Sequence, residues 1–217
     1  MKLLPSKRFL DPSVRIAEVL FGLIMVLTFT GSLSAATAGR SEVRTMLIGA
    51  LGCNSAWGII DAIFYLMGCL AAKGHNIRVW RAFKKAPNPE AAQLVISKHL
   101  PPVMASKLTT VELEAIRQKL LNLGEAPKHP GLELNDWLGA VMVFLWVFII
   151  TFPVAIPFLV IQNVYHAMRA SNAVALVMLF ITGYAFGRCA EYRPWLTGVA
   201  MMLIGSGLVA LTIKFGG

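Results

Sequence analysis

The sequence predicts an all-α integral membrane bundle of five transmembrane helices, with a cytosolic helical insertion between the second and third. Three observations predict it. Hydrophobic residues make up 57% of the chain and charged residues 14%, with a mean hydropathy of +0.67, where a soluble domain carries about 25% charged residues. Apolar stretches long enough to cross a hydrocarbon core of about 30 Å recur five times. One polar stretch, Lys73 to Asp136, interrupts them and holds ten of the twenty lysines and arginines. These features divide the chain into a cytosolic tail (1–15), spans one and two (16–72), the insertion (73–136) and spans three to five (137–217).

The tail, MKLLPSKRFLDPSVR, is basic and lacks a short apolar region ending in a small-residue cleavage site, so span one is expected to stay as a signal anchor. Span one runs from about Ile16 to Ala38, with Glu18 in its first turn and no further charge until Arg40. Its second half, TFTGSLSAATAG, is dense in the small residues that let helices approach closely. Span two, Thr45 to Ala72, contains 28 residues without a basic side chain. As a helix it reaches about 42 Å, longer than the bilayer requires, and the excess is expected to run on into the insertion.

The insertion opens with NIRVWRAFKK, a basic amphipathic stretch whose Trp80 and Phe83 are placed to rest at the membrane interface while the cations meet anionic headgroups. Asn88 and Pro89 then start a helix that stops near Pro101-Pro102. Thr109 and Glu112 have capping-box spacing, and Leu113, Ile116, Leu120 and Leu123 form one apolar face. Spans three, four and five follow at about Trp137–Ile161, Asn172–Phe186 and Pro194–Phe215. Pro153 and Pro157 remove two backbone donors from span three and are expected to kink or break its last turns. Gly183 and Gly187 have GxxxG spacing and read as a helix-packing face.

Orientation follows from the cations. With the N-terminus inside, inner segments hold sixteen basic residues and outer segments four, Arg40, Arg44, Arg169 and Lys214. The expected topology is N-terminus cytosolic and C-terminus outside, in a plasma or bacterial inner membrane. The net charge of +9 and pI near 9.8 are explained by this clustering beside spans, so no nucleic-acid partner is expected. Cys53, Cys69 and Cys189 form no CxxC and read as packing residues, while His75, His99, His129 and His166 have no HxH or HxxxH spacing. Glu112 and Glu114, two apart, point away from each other on a helix. With no nucleophile motif, phosphate loop or dinucleotide fingerprint, the chain is not expected to be an enzyme.

The chemistry centres on span two. Asp61 is its single charge, about 25 Å from Arg44 and about 18 Å from Lys73 along a helix, and a carboxylate at that depth costs on the order of 3 kcal/mol. Asn54, Gly58, Asp61, Tyr65 and Gly68 recur at three- and four-residue steps, placing an amide, a carboxylate and a phenol on one face among small residues. Oxygen donors flanked by small residues suit an approaching cation. Asp61 is alternatively a structural contact to a neighbouring helix, to Arg188 or to Arg193. Glu18 reads either as a second, inner acid or as a first-turn glutamate balancing the helix dipole and Arg15. Methionines such as Met25, Met67 and Met142 read as core filler before soft-metal ligands.

Several motifs in this order resemble the vacuolar iron transporter family: Arg15 followed by Phe21-Gly22 in span one, a long glycine-rich span two carrying Asp61, Phe152-Pro153 through Pro157 in span three, and glycine-rich final spans closing on Phe215-Gly216-Gly217. The resemblance covers about Val14 to Gly217. It implies a homodimeric cation/proton antiporter that moves Fe²⁺ or Mn²⁺ out of the cytosol, with the ion path at the dimer interface between the first two helices. Its partners would be the lipid bilayer, a divalent cation and protons, with cargo metal and no permanently bound cofactor. On that reading Asp61 coordinates the ion or carries the proton, Asn54 and Tyr65 supply neutral oxygens, and Glu18 serves as inner acid. Two departures stand out. Met25-Val26 occupies the place of the family's first-helix Asp-Gly pair, and the insertion holds only Glu90, Glu112, Glu114, Glu125, Glu133 and Asp136 where the family's cytosolic helices carry many metal-binding glutamates. The alternative is a structural or regulatory membrane protein of the same fold that does not transport and whose basic insertion meets lipid or a partner.

Overall fold

The computed structural model describes residues 12–31, 39–125 and 127–216, and every regular element among them is a helix. Among the described residues two compact units emerge, one within Leu66–Glu133 and a membrane unit that holds the described residues up to Tyr65 together with those from Leu134 onward. The membrane unit contains α1 (Pro12–Gly31), the first part of α2 (Arg40–Lys84), α6 (Leu134–Ile149), α7 (Thr151–Val160), α8 (Val164–Cys189) and α9 (Pro194–Gly216). The insertion unit contains the remainder of α2, α3 (Pro89–Lys98), α4 (Pro102–Ala105) and α5 (Thr110–Leu121). Four helical segments are long and apolar enough to cross a membrane, Ser41–Lys84, Leu134–Val160, Val164–Cys189 and Pro194–Leu211, and α1 adds a shorter apolar run, Glu18–Thr28. The remainder of span one as expected, through Ala38, lies outside the described residues.

The core of the membrane unit follows from helical periodicity. Leu20, Leu23 and Leu27 recur on one face of α1 and pack with Val154 of α7 and Ala175 and Leu179 of α8. On α8 the buried residues fall at every fourth position, Ala167, Ser171, Ala175, Leu179, Gly183 and Gly187, a stripe of small side chains interrupted only by Leu179. Its two glycines receive α9. A methyl group on Gly183 would come within 2.9 Å of the Thr197 carbonyl, and one on Gly187 within 2.7 Å of Pro194 Cα. Span three does break, but earlier than expected: the interruption lies between α6 and α7, at Ile150, and the last turns stay helical through Pro157. Pro153 cannot donate to the carbonyl four residues earlier and its ring crowds that turn, which places the break just before it. Span four begins two turns earlier than its apolar run indicated, because the Asn163 side chain accepts from His166 N–H at 3.2 Å and caps α8.

In the insertion unit the structure corrects one expectation. Trp80 and Phe83 do not lie out on an interfacial face; they are buried against Ala92 and Ile96 of α3, with Leu113, Ile116 and Leu120 of α5 closing over them. Two short amphipathic helices present apolar faces that supply the burial which the interface would otherwise provide. The expected caps are present, Asn88 at the start of α3 and the reciprocal Thr109–Glu112 capping box on α5. Cations of α2 face the returning chain and donate to its carbonyls: Lys84 Nζ to Leu121 O at 3.1 Å, Arg81 to Lys128 O at 2.6 Å, and Lys73 to Gly131 O at 3.0 Å.

Candidate intramembrane cation path

Helix α2 meets α6 and α7 along one face. Val43 and Met46 pack with Phe158 of α7, and Asn54 Nδ2 donates to Thr151 Oγ1. At Gly58 the two backbones come so close that a methyl group would stand 3.2 Å from Phe144 O and 3.5 Å from Phe144 Cα. One turn beyond Asp61, the Tyr65 ring lies directly over Gly139. A second direction on α2 faces α1: Trp57 meets Phe21 edge-on with centroids 5.0 Å apart, and Cys53 Sγ lies 3.7 Å from Met25 Sδ.

These contacts locate Asp61. At about 100° per residue, Asp61 sits one turn and about 40° from Trp57, which looks toward α1, and about 40° the other way from Tyr65, which looks toward α6. Asp61 therefore sits on the side of α2 between the directions of α1 and α6, on the seam of the three helices, and it is half-buried. Among the described residues it has no hydrogen-bond or ion-pair partner, so neither Arg188 nor Arg193 neutralises it. The pairings Phe21–Trp57 and Met25–Cys53 define an antiparallel register in which Glu18 falls level with Ile60 and Asp61. Glu18 shares the α1 face of Phe21 and Met25, at i, i+3 and i+7.

The expected donors do not converge on one ion. Asn54 lies about 10 Å from Asp61 along α2 and Tyr65 about 6 Å on the other side, and no group of three or more histidines, cysteines or acids among the described residues is placed to hold a metal. Asn54, Asp61 and Tyr65 instead form successive stations on one face. Asn54 is fully buried, and its Oδ1 has no partner while its Nδ2 is engaged, which leaves an acceptor oriented within the bundle.

Two polar residues of this region escaped sequence reasoning. Asp136 is 3% exposed in the first turn of α6, on the face it shares with Gly139, Ala140, Val143 and Val147 at heptad spacing. That spacing was legible in the sequence, but the aspartate borders the polar insertion and reads as part of it. Thr151, the buried partner of Asn54, begins α7 after the break. Nothing in its local sequence marks it as the amide's partner.

A model of the VIT family matches residues 75–217 of this chain, about two thirds of its length. The chain belongs to the VIT family. Among its relatives, Vacuolar iron transporter 1 from Oryza sativa subsp. japonica is 24% identical over 93% of this chain and 84% of the relative. The family match takes in the insertion, Asp136 and the last three spans, while Glu18, Asn54, Asp61 and Tyr65 precede it. The apolar helices and the membership together make this VIT protein a multi-pass membrane protein.

Proposed function

We propose that this VIT protein is a metal-ion transporter that exchanges divalent iron or manganese for protons, using Asp61 as its intramembrane carboxylate. The observation that carries this reading is the half-buried Asp61 carboxylate on the seam of α1, α2 and α6, without a hydrogen-bond or ion-pair partner among the described residues. A carboxylate held there without a counter-charge is costly, and a proton or a cation relieves that cost in turn. Competition between the two at one oxygen pair is the elementary step of antiport. Glu18, at the same depth, supports a second acid station, and the Tyr65 hydroxyl and Asn54 Oδ1 extend the line of oxygens along α2. Hard and borderline cations such as Mn²⁺ and Fe²⁺ suit such oxygens. The rice relative's name, an iron transporter, supports iron as cargo.

The exposed apolar face of α2, with Ile59, Ile63, Phe64 and Met67 turned outward, supports either lipid contact or a homodimer seam. The distribution of basic residues supports a cytosolic N-terminus and an external C-terminus. Purified protein in proteoliposomes with an imposed pH gradient tests the mechanism. Fe²⁺ or Mn²⁺ flux should be driven by the gradient and fall at least about tenfold in Asp61→Asn. Equal flux in the variant, or none in the wild type, rejects it. A second reading, a structural protein of the same fold without transport, is favoured by the Met25–Cys53 contact, which closes the α1–α2 seam with sulfur two turns from Asp61. On that reading Asp61→Asn changes stability alone.

A further inference from the structure

His75 and His99 are far apart in sequence, yet folding of the insertion unit brings their rings together, with centroids 5.5 Å apart and planes inclined by 48°. His75 is carried on the part of α2 that belongs to this unit, and His99 is the C-cap residue of α3. Both side chains are exposed, so an ion can reach them from water. The His99 Nδ1 lies 2.8 Å from the Val95 carbonyl oxygen. A carbonyl only accepts, so Nδ1 is the donor there and Nε2 is the ring nitrogen left for a ligand. A ring nitrogen tied to a backbone carbonyl, with the other nitrogen open, is the support that metal-ligating histidines commonly have.

The spacing of the rings suits a shared ion. With metal–nitrogen bonds of about 2.1 Å each ring centre lies roughly 3.2 Å from the metal, so two imidazoles on one tetrahedral ion stand about 5.2 Å apart. The observed separation is 5.5 Å. We propose that His75 and His99 form a surface site for a divalent first-row transition-metal ion, with water completing the coordination. The chemical class follows from the donors. Neutral imidazole suits zinc, iron, nickel and copper, whereas calcium and magnesium require carboxylates and carbonyls. The 73–136 stretch holds six acids against ten basic residues, which disfavours a hard-cation site and leaves imidazole as the donor able to act there. The site is separate from Asp61 and stands whether or not that carboxylate carries ions.

Full-length protein in detergent, titrated with Co²⁺ alone and followed by its visible ligand-field absorption, tests the site. Wild-type and Asp61→Asn proteins should each bind Co²⁺ with imidazole-type bands, and Zn²⁺ should displace it while millimolar Mg²⁺ should not. His75→Ala should weaken binding about 100-fold or more. His99→Asn should do the same, because an amide nitrogen keeps the donor to Val95 O while the ligating Nε2 is removed. Unchanged binding in either histidine variant, displacement by Mg²⁺, or loss of the bands in Asp61→Asn overturns the assignment. Failure of ion flux in proteoliposomes, with the Co²⁺ bands intact, would sink the transport mechanism alone.

Discussion

The buried pair of Asn54 and Thr151 offers a test in which stability and function separate. Each residue is 1% exposed. Asn54 Nδ2 donates to Thr151 Oγ1, and Asn54 Oδ1 already lacks a partner. Thr151→Val preserves shape but removes the acceptor, leaving an amide with neither end satisfied. Orphaning a buried polar group costs about 1–3 kcal/mol, and hydrogen bonds measured inside membranes average about 0.6 with a maximum near 1.7 kcal/mol. A loss of about 1–2 kcal/mol is therefore expected. Asn54→Leu should cost less, because the Thr151 hydroxyl can turn back to the carbonyl of Val147 or Phe148 in the last turn of α6. In the double variant both sites are apolar and no amide is stranded, so it should be more stable than Thr151→Val alone. The cycle should give a coupling of at least about 1 kcal/mol, read by equilibrium unfolding in mixed detergent micelles. Additive losses would refute the account of this contact. If Asn54 Oδ1 also serves the ion, the double variant should remain folded in liposomes yet move metal more slowly.

Three further outcomes follow from the packing and electrostatics. Gly187→Leu drives a side chain into Pro194 and Thr197; it should separate α8 from α9 and lower the thermal midpoint in detergent, whereas leucine at the open Gly207 should leave it nearly unchanged. Trp80→Ala empties the core of the insertion unit and should cost about 3–5 kcal/mol, seen as faster hydrogen exchange in α3 and α5 than in α8. Glu114 accepts from Arg117, Gln118 and Gln93, and these bonds, the one to Arg117 foremost, hold its carboxyl down at about 2 from an ordinary value of 4.5. Because the folded value is lowered, its stabilisation is present above about pH 4.5 and is lost as the pH falls toward 2. An acid titration of hydrogen exchange in α5 should show this slope in the wild type and a reduced one in Glu114→Gln.

Much of the fold was legible in the residues because membranes and caps impose local rules. A bilayer demands about 20 apolar residues per helical crossing, so composition and run length located the apolar helices, although span four starts two turns before its apolar run. Asn88 before Pro89 and Thr109 three residues before Glu112 determined the starts of α3 and α5, since the donors they satisfy are their own neighbours in the chain. Pro153 signalled the break in span three for an equally local reason, while Pro157 sits inside α7 without interrupting it. The helical face carrying Asn54, Asp61 and Tyr65 was likewise a matter of periodicity.

What the chain order alone left open was which faces meet. Trp80 and Phe83 suited a lipid interface as well as a protein core, and only the arrival of α3 and α5 decided in favour of the core. Asp61 read alternatively as an ion-pair partner of Arg188 or Arg193; the register of α2 against α1 and α6 leaves it on their seam with no partner among the described residues. Asp136 passed for a surface acid of the insertion but lies on the buried face of α6, and His75 and His99 showed no ligand spacing because their meeting depends on how α3 folds back along α2. Periodicity and caps act within a few residues, so the sequence by itself determined elements and spans. Contacts between residues distant in the chain depend on the packing of whole helices, and those only the tertiary structure decided.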